Sequence, residues 1–389
     1  MGETANTVME TEDRYQLKTY AKLPLVLDRG RGCYVYDQDG NEYLDLYGGH
    51  AVVSTGHCHP RVVEALCTQA EDILFYSNVV YSSVRARAAK KLMELAGPPY
   101  WQAFLANSGS EANENAIKLA RALTGRATVI SLSNSFHGRT YGSLSSTGVS
   151  NYAAYLNTPV PGHRILDLQD VADSIDSDTA AVLLEPIRSM GGVEEIPEET
   201  LREIHDACRT HGTFLIFDEV QTGVGRTGSF LYAGTGGIYP EMVTLAKGIA
   251  SGVPASALLV TREVADQVRS GDMGATFGGA PVACAAMEAT LQVLEEEDLI
   301  RNAARIGNYL REQLEGLPWV TEVRGKGLLL GIKIAGGTAK DLGRFLRTRR
   351  ILTGTSSDPS VLRLMPPLTL AREQADTFLE AIRSYEPGH

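Results

Sequence analysis

The sequence predicts an α/β fold with a mostly parallel central sheet, and two observations support that prediction. Short apolar segments typical of buried strands alternate with helical patterns through the middle of the chain. Both ends of the chain lack this alternation. We therefore expect a large domain over residues 46–284 and a smaller α+β domain formed by residues 1–45 and 285–389.

The individual elements follow from local patterns. Near the start, "GCYVYDQDGNEYLDL" contains Asp39-Gly40, a dipeptide typical of a hairpin turn. The central strand and helix candidates are "WQAFLAN", the helix "EANENAIKLARAL", "ATVISL", "AAVLLEP", the helix "EETLREIHDACRTHG", "FLIFDEV", "MVTLAK" and "SALLVT". Beyond about residue 285, the helical stretch "AMEATLQVLEEEDLIRNAARIGNYLREQLEG" precedes the strand candidate "GLLLGIKI", another helix and "VLRLMPPLTL".

Composition excludes several classes of function. A formal charge of −11 over 389 residues, without a long basic cluster, argues against nucleic-acid binding. No stretch approaches the roughly 18 apolar residues of a membrane span. The 5 cysteines are scattered and form no C-x-x-C pair, which favours reduced thiols and a cytoplasmic location. The segment "GHCHP" is interpreted as a turn, because consecutive side chains diverge and cannot share a metal ion.

The glycines of "GVGRTG" match a dinucleotide-binding fingerprint directly after a strand candidate, namely Gly223, Gly225 and Gly228. The following segment, "SFLYAGTGGIYPEM", is a Gly- and Tyr-rich loop. Because no helix follows to present its N-terminus to a pyrophosphate, we reject nicotinamide binding.

Other segments carry chemistry at predicted strand ends. Ser108, Gly109 and Ser110 lie between a strand and a helix, where free backbone N–H groups favour a phosphate; the alternative is that Ser110 is simply the N-cap. Lys247 follows a buried strand, which suits either Schiff-base chemistry or a solvated charge. In "NSFHGRTYGS", an aromatic ring and an arginine could hold a flat cofactor and a carboxylate, or could be an ordinary core residue and a solvated charge.

Taken in order, "NSGSEA", "SFHGRT", "LLEP", "FDEVQTGVGRTG", "LAKG" and "ATFGGAP" resemble the class III, ornithine-type aminotransferases that use pyridoxal 5′-phosphate (PLP). The resemblance extends from "LDLYGGHAVVSTGHCHP" to "LRLMPPL". It implies the PLP-dependent transferase fold, fold type I, and a homodimer whose active sites are shared between subunits.

The resemblance also implies roles for individual residues. Lys247 corresponds to the lysine that binds PLP covalently and moves the substrate proton, and Asp218 to the partner of the pyridinium nitrogen. The remaining cofactor contacts implied are the phosphate-binding residues Ser108, Gly109 and Ser110, the ring contacts Phe136, Val220 and Gln221, and Thr276, which would reach the phosphate of the neighbouring subunit.

Substrate-binding roles are implied for Arg139, Glu185 and Arg363. Arg139 resembles the residue that binds the donor's α-carboxylate, and Arg363 the one that binds the carboxylate of the acceptor, 2-oxoglutarate. These residues favour N-acetylornithine or N-succinylornithine as the amino donor. Ornithine, lysine, 4-aminobutyrate or another amine remain alternatives, as do an aminomutase, a racemase and a noncatalytic protein of the same fold.

One segment departs from the family pattern. Ornithine-type members read E-P-I-Q-G-E where this chain reads "EPIRSM", so that Met190 replaces a glutamate that often neutralises the second arginine. Arg363 would then remain open to carboxylates in both half-reactions, or Arg188 would add a further positive contact. Alternatively, Met190 fills a hydrophobic pocket for a different amine.

Overall fold

The computed structural model describes residues 4–387. Their α-helices are α1 (Ala5–Tyr15), α2 (Gly48–Ala51), α3 (Pro60–Asp72), α4 (Ser83–Ala96), α5 (Gly109–Thr124), α6 (Tyr141–Ser145), α7 (Ser150–Ala153), α8 (Glu198–His211), α9 (Arg262–Ala265), α10 (Pro281–Glu296), α11 (Leu299–Glu315), α12 (Ala339–Thr348) and α13 (Arg372–Arg383).

The strands are β1 (Leu27–Arg31), β2 (Tyr34–Asp37), β3 (Glu42–Asp45), β4 (Tyr100–Ala106), β5 (Thr128–Leu132), β6 (His163–Leu166), β7 (Thr179–Leu184), β8 (Ile187–Arg188), β9 (Glu194–Glu195), β10 (Phe214–Asp218), β11 (Met242–Leu245), β12 (Ser256–Thr261), β13 (Val320–Lys326), β14 (Leu329–Ile334), β15 (Ile351–Leu352), β16 (Gly354–Thr355) and β17 (Val361–Leu364).

The central sheet has the strand order β4-β12-β11-β10-β7-β5-β6. Neighbours from β11 to β6 pair in parallel, whereas β12 runs antiparallel to both β11 and β4. Every residue of β7, β11 and β12 is buried, as expected for a sheet covered on both faces. The predicted α/β class with a mostly parallel sheet is confirmed.

Smaller sheets surround the central one. β1, β2, β3 and β15 form a sheet that joins the two ends of the chain, and β13, β14, β17 and β16 form another. β2 and β3 are the arms of the hairpin predicted around Asp39-Gly40. The mixing of early and late residues in one sheet supports a small domain built from both ends, although its boundaries stay a prediction.

Local patterns did not indicate two features. β6 was not among the predicted strands, because its sequence "HRIL" is short and half polar; its parallel pairing with β5 stabilises it. The long helical stretch predicted after residue 285 is two helices, α10 and α11. They are separated at Glu297-Asp298, where Asp298 takes a left-handed φ of 52° that ends the first helix.

Candidate active site

A cavity of about 430 Å³ lies at the carboxyl-terminal edge of the central sheet. Because the carboxyl ends of parallel strands meet at one edge, segments that follow β4, β5, β7, β10 and β11 converge there. The cavity is lined by most of the site residues predicted from sequence: Ser108, Gly109, Ser110, Phe136, Arg139, Glu185, Asp218, Val220, Gln221, Lys247 and Arg363.

The N-terminus of α5 forms one wall of the cavity. Ser108 is the N-cap and accepts a hydrogen bond from Glu111 N at 3.2 Å, so the alternative that Ser110 is the cap is wrong. A Cβ atom added at Gly109 would lie 2.9 Å from two methyl groups of Val220, which shows that the backbone and Val220 are in close contact. This glycine and the free N–H groups of the first helical turn fit the phosphate of PLP.

Asp218 is at the tip of β10, only 2% exposed, and held by hydrogen bonds. Its Oδ2 accepts from Asn113 Nδ2 at 2.7 Å and lies 2.8 Å from His137 Nδ1, which must donate because an ionised carboxylate can only accept. Its Oδ1 accepts from Val220 N at 3.1 Å. Thr244 Oγ1 donates to Asn113 Oδ1 at 2.7 Å and fixes the orientation of that amide.

Lys247 follows β11 directly and opens a single 3₁₀ turn, Lys247–Ala250. Its φ of 46° is unusual for a residue with a side chain, and such strain is typical of functional positions. Burial lowers the pKa of its amine; the charges of Asp218 and Glu185 oppose this effect and that of Arg363 adds to it. A lowered pKa means that a larger fraction of the amine is neutral at a given pH, and the neutral amine is the form that acts as nucleophile and base.

Glu185 follows β7 and is 4% exposed. Its Oε1 accepts from Phe136 N at 2.7 Å and its Oε2 from Ser189 N at 3.4 Å. Burial raises the pKa of this carboxyl group to about 7, although the nearby His137 opposes the shift. Glu185 therefore connects Phe136, in the loop after β5, to Ser189, in the segment after β8, and all three residues line the cavity.

Arg363 lies on β17 and is 2% exposed. Its Nε donates to Thr355 O at 2.7 Å and its Nη1 to Ser189 Oγ at 2.9 Å, and both partners are uncharged. Within residues 4–387, no carboxylate forms an ion pair with it. Burial lowers the pKa of this guanidinium, and Tyr47 and the nearby Glu185 oppose the shift.

The two residues flanking Ser189 have different surroundings. Arg188 forms an ion pair with Glu194 at 2.8 Å and donates to Ser133 O at 3.1 Å, outside the cavity. The expectation that Arg188 adds a positive contact to the site is therefore wrong, because its guanidinium is engaged by the β8–β9 hairpin. Met190 does line the cavity.

Aromatic rings hold Arg139 at the cavity rim. Its guanidinium carbon lies 4.4 Å from the centre of the Tyr152 ring and 5.7 Å from that of Tyr20. Tyr152 in turn makes an edge contact with Phe136, with ring centres 5.3 Å apart. The arginine is therefore positioned by stacking while its nitrogen atoms remain available for an anion.

Two further predicted residues have distinct positions. Gln221 is 8% exposed and its Nε2 donates to Met365 Sδ at 2.9 Å. Thr276 does not line the cavity of its own chain; it is exposed next to Phe277, whose ring lies 5.1 Å from that of Phe75.

Sequence reasoning gave no role to several residues that line the cavity, namely His50, Asn113, His137 and Tyr152. His137 lies inside a motif that was singled out, and Asn113 lies one helical turn after the predicted phosphate site. The position of Asn113 was the available signal, since residues separated by three or four positions share a helix face.

In the part of the chain that the structure describes, no cluster of three or more His, Cys, Asp or Glu side chains could hold a metal ion. The same residues contain no helix long and apolar enough to cross a membrane.

Comparison with known proteins identifies relatives over nearly the whole length. A family model described as aminotransferase class-III matches residues 15–385. The chain is 38% identical to an acetylornithine aminotransferase of Methanothermobacter thermautotrophicus over 96% of this chain and 97% of that protein. It is 41% identical to one of Mycobacterium leprae over 97% of this chain and 94% of the relative.

A solved structure extends the similarity to three dimensions. An ornithine aminotransferase from Toxoplasma gondii, described with partial occupancy of PLP at its active site, matches with a TM-score of 0.91 and 33% identity. The match covers 98% of this chain and 93% of the other.

Proposed function

Since this chain belongs to the class III aminotransferase family, we propose that it moves the ω-amino group of N-acetylornithine or N-succinylornithine to 2-oxoglutarate. It has the fold of PLP-dependent transferases and is a PLP-dependent transaminase. The acylated donor is supported by relatives named acetylornithine aminotransferase that are 38% to 41% identical over most of the chain. The observation that carries the proposal is that Arg139 and Arg363 line the same cavity as Lys247.

The cofactor contacts follow from the cavity. The N-terminus of α5, with Ser108, Gly109 and Ser110, would hold the phosphate, and Asp218 would face the pyridine nitrogen. Val220 and Phe136 would pack against the ring, and Gln221 would contact its hydroxyl group. When bound, PLP supplies a carbonyl group that reacts with amines and an electron sink for negative charge on the substrate carbon.

The protein residues then have defined tasks. Lys247 Nζ would hold the cofactor in the absence of substrate and, when free, would move the proton from the substrate carbon to the cofactor as general base and acid. Its pKa, lowered by burial, assists both tasks. The Asp218 carboxylate, fixed by Asn113 and His137, stabilises positive charge at the pyridine nitrogen.

The two arginines would position substrates. Arg139 would bind the α-carboxylate of the donor, so that the distant ω-amine reaches Lys247. Arg363, whose hydrogen-bond partners Thr355 and Ser189 are uncharged, would bind a carboxylate of the 2-oxo acid through its remaining N–H groups. Ornithine is the second candidate donor, since the Toxoplasma gondii structure is an ornithine aminotransferase.

The test is a single turnover followed by visible absorbance. N-acetylornithine, N-succinylornithine, ornithine, lysine and 4-aminobutyrate are added separately, without a 2-oxo acid, to protein loaded with PLP. The absorbance of the bound cofactor should change with the acylated ornithines, and 2-oxoglutarate should restore it. A response to another amine alone would refute the acylated donor, and Lys247→Ala is the control that should bind PLP but not react.

We further propose a homodimer in which Thr276 contacts the phosphate of the neighbouring site. Two segments that meet beside Thr276, residues 78–81 and 275–278, expose apolar side chains and support it: Phe277 is 61% exposed, Val79 is 83% exposed and Tyr81 is fully exposed. Such a patch is typical of a protein–protein interface. The 2-oxo acid site would then lie near the boundary between the two subunits.

Mixed dimers test this arrangement. Lys247→Ala chains, which should not react, and Thr276→Ala chains, which should be weakly active, should together recover activity, because one site of the mixed dimer then has both residues. No recovery in mixed dimers verified by mass would show that Thr276 serves its own chain or neither site.

We also propose a cytoplasmic location. The cysteines at 33, 58, 67, 208 and 284 are all unpaired in the structure, which suits a reducing compartment. Fractionation of cells that express the protein at its natural level would test this.

A further inference from the structure

Residues Gly48–Ala51 form a turn of helix with left-handed backbone angles. Their φ values lie between 57° and 67°, and two of the residues, His50 and Ala51, carry side chains. L-residues adopt this conformation only against a steric penalty, and successive left-handed residues are rare. Strain of this kind persists where the surrounding structure enforces it and is concentrated at functional sites.

Hydrogen bonds and close packing with neighbouring segments hold this turn in its left-handed conformation. The Asp45 carboxylate accepts hydrogen bonds from Tyr47 N and Gly48 N, each at 2.9 Å, and is itself 2.8 Å from His57 Nε2. A Cβ atom at Gly48 would lie 2.7 Å from Met365 O. The turn is therefore pressed against the segment that directly follows β17.

The same packing brings Tyr47 and His50 close to Arg363. A Cβ atom at Gly354 would lie 2.7 Å from the Tyr47 ring, and Gly354 pairs directly with Arg363 across β16 and β17. Tyr47 Oη lies 2.5 Å from His50 Nδ1 and 2.7 Å from its Nε2. The imidazole lines the same cavity as Arg363.

The imidazole is held uncharged in this position. His50 is exposed, yet desolvation at the cavity wall and the positive charges of Arg363, Lys247 and Arg139, in that order, lower the pKa of its imidazole to about 4. At neutral pH the ring therefore offers one N–H donor and one acceptor without adding a further cation. The Tyr47 hydroxyl lies close to both ring nitrogens but carries one hydrogen, so it can donate to only one of them at a time.

We propose that His50 is a substrate-binding residue which, together with Arg363, receives a carboxylate of the 2-oxo acid. In this proposal the left-handed turn directs the His50 side chain into the cavity. This inference rests on the proposed function, because it assigns His50 to the acceptor that Arg363 would bind. A residue that only filled space would have no need of a strained backbone, since glycine adopts the same angles freely.

The experiment uses purified protein loaded with PLP and measures the two half-reactions separately. His50→Gly removes the imidazole and should raise the 2-oxoglutarate concentration needed for half-maximal rate about tenfold or more, the usual effect of losing a hydrogen bond to a charged group. The half-reaction with the amino donor should keep its own concentration dependence. Because glycine suits the left-handed backbone, the variant should melt at or above the temperature of the wild type.

Two further variants separate the side chain from the backbone. His50→Asn retains an N–H donor on a residue that tolerates left-handed angles, and should recover part of the affinity for 2-oxoglutarate. Ala51→Gly relieves the neighbouring strain without altering a cavity side chain, and should behave as the wild type in both half-reactions.

Either of two results would overturn the assignment of His50. One is an unchanged response of His50→Gly to 2-oxoglutarate; the other is a loss confined to the donor half-reaction, which would place the imidazole beside the Arg139 carboxylate site. Failure of the wild type to react with 2-oxoglutarate after the donor would instead contradict the proposed function. The two failures are therefore distinguishable.

Discussion

Asp218 shows how single residues shape this site. Its carboxylate is nearly excluded from solvent, and Asn113 and His137 both donate to the same oxygen atom, Oδ2. Asn113 is held by Thr244, and its Nδ2 also donates to His137 O at 2.8 Å. The network fixes the direction of the carboxylate before any ligand arrives, and such preorganisation is the main contribution of protein electrostatics to catalysis.

Removal of the His137 donor should disturb that direction. We expect His137→Phe to lower turnover about 10- to 100-fold, the range for a lost hydrogen bond to a charged group. The visible circular dichroism of bound PLP should weaken, because it reports the orientation of the cofactor. His137→Asn, whose amide can donate from nearly the position of Nδ1, should restore part of both signals, and wild-type values in His137→Phe would contradict this role.

Ser189 is an uncharged hydrogen-bond partner of Arg363 inside the cavity. Its hydroxyl accepts from Arg363 Nη1 at 2.9 Å, and both groups are buried. Ser189→Glu would place a carboxylate beside this guanidinium and compete with the substrate. We expect the KM for the oxo acid acceptor to rise about 10-fold or more, with the donor half-reaction unaffected.

Ser189→Ala is the matched control for this substitution. It removes one neutral hydrogen bond without introducing charge, and its effect on the KM for the acceptor should be much smaller. Equal effects of the two variants would show that orientation of the guanidinium, and not its free charge, governs affinity for the oxo acid.

Among the secondary-structure elements, α5 shows most clearly how the sequence forms an anion-binding helix N-terminus. Ser108 caps its N-terminus, and the carboxylate of Glu111 accepts from Asn107 N at 3.0 Å and Ser108 Oγ at 3.2 Å. Gly125 ends the helix with a left-handed φ of 69°. The remaining N–H groups of the first turn therefore stay available for an anion.

Gly109→Ala tests this helix end. The added methyl group would meet the Val220 side chain at 2.9 Å, so the turn must shift and the phosphate cradle with it. We expect the Kd for PLP, measured by equilibrium dialysis, to rise about 10-fold or more. Gly316→Ala is the control, because its methyl group would lie 3.5 Å from Gln313 O and its φ of −76° suits alanine.

The stability of the whole molecule should reflect its buried acids. Glu219 is fully buried, and its carboxylate accepts from Ala233 N at 2.8 Å and Tyr232 N at 2.5 Å. Burial nevertheless raises the pKa of Glu219 to about 7, above its usual value of 4.5. A raised pKa means that the folded state retains a proton which the unfolded chain releases, so this contribution to stability is lost as the pH rises from 4.5 through about 7.

Glu219→Gln removes this titration. The difference in free energy of unfolding, variant minus wild type, should therefore increase as the pH rises from about 5 to about 8. Urea unfolding of the apo proteins measures it, with Glu380→Gln on the exposed side of α13 as control. A difference that is independent of pH would show that Glu219 does not titrate in this range.

Much of the fold and of the site was predictable because both depend on local patterns. Apolar runs such as "FLIF" and "MVTL" predict β10 and β11, and a charged residue at the end of each predicts a strand tip that carries chemistry. The resemblance of "FDEVQTG" and "LAKG" to a known family then assigned Asp218 and Lys247, and both line the cavity. Their roles stay predictions until they are tested.

The amino-acid sequence by itself determined the strand–helix alternation, the family and the residues at the strand tips, since these depend on neighbours in the chain. Only the tertiary structure decided that His137 and Asn113 hold Asp218 and that Ser189 contacts Arg363 while Arg188 turns to Glu194. It also decided that His50 lines the same cavity as Arg363. Except for Arg188 and Glu194, which pair within one hairpin, those contacts join segments far apart in sequence. They depend on how the strands are ordered and how the backbone of Gly48–Ala51 is forced to bend, and no local pattern encodes either.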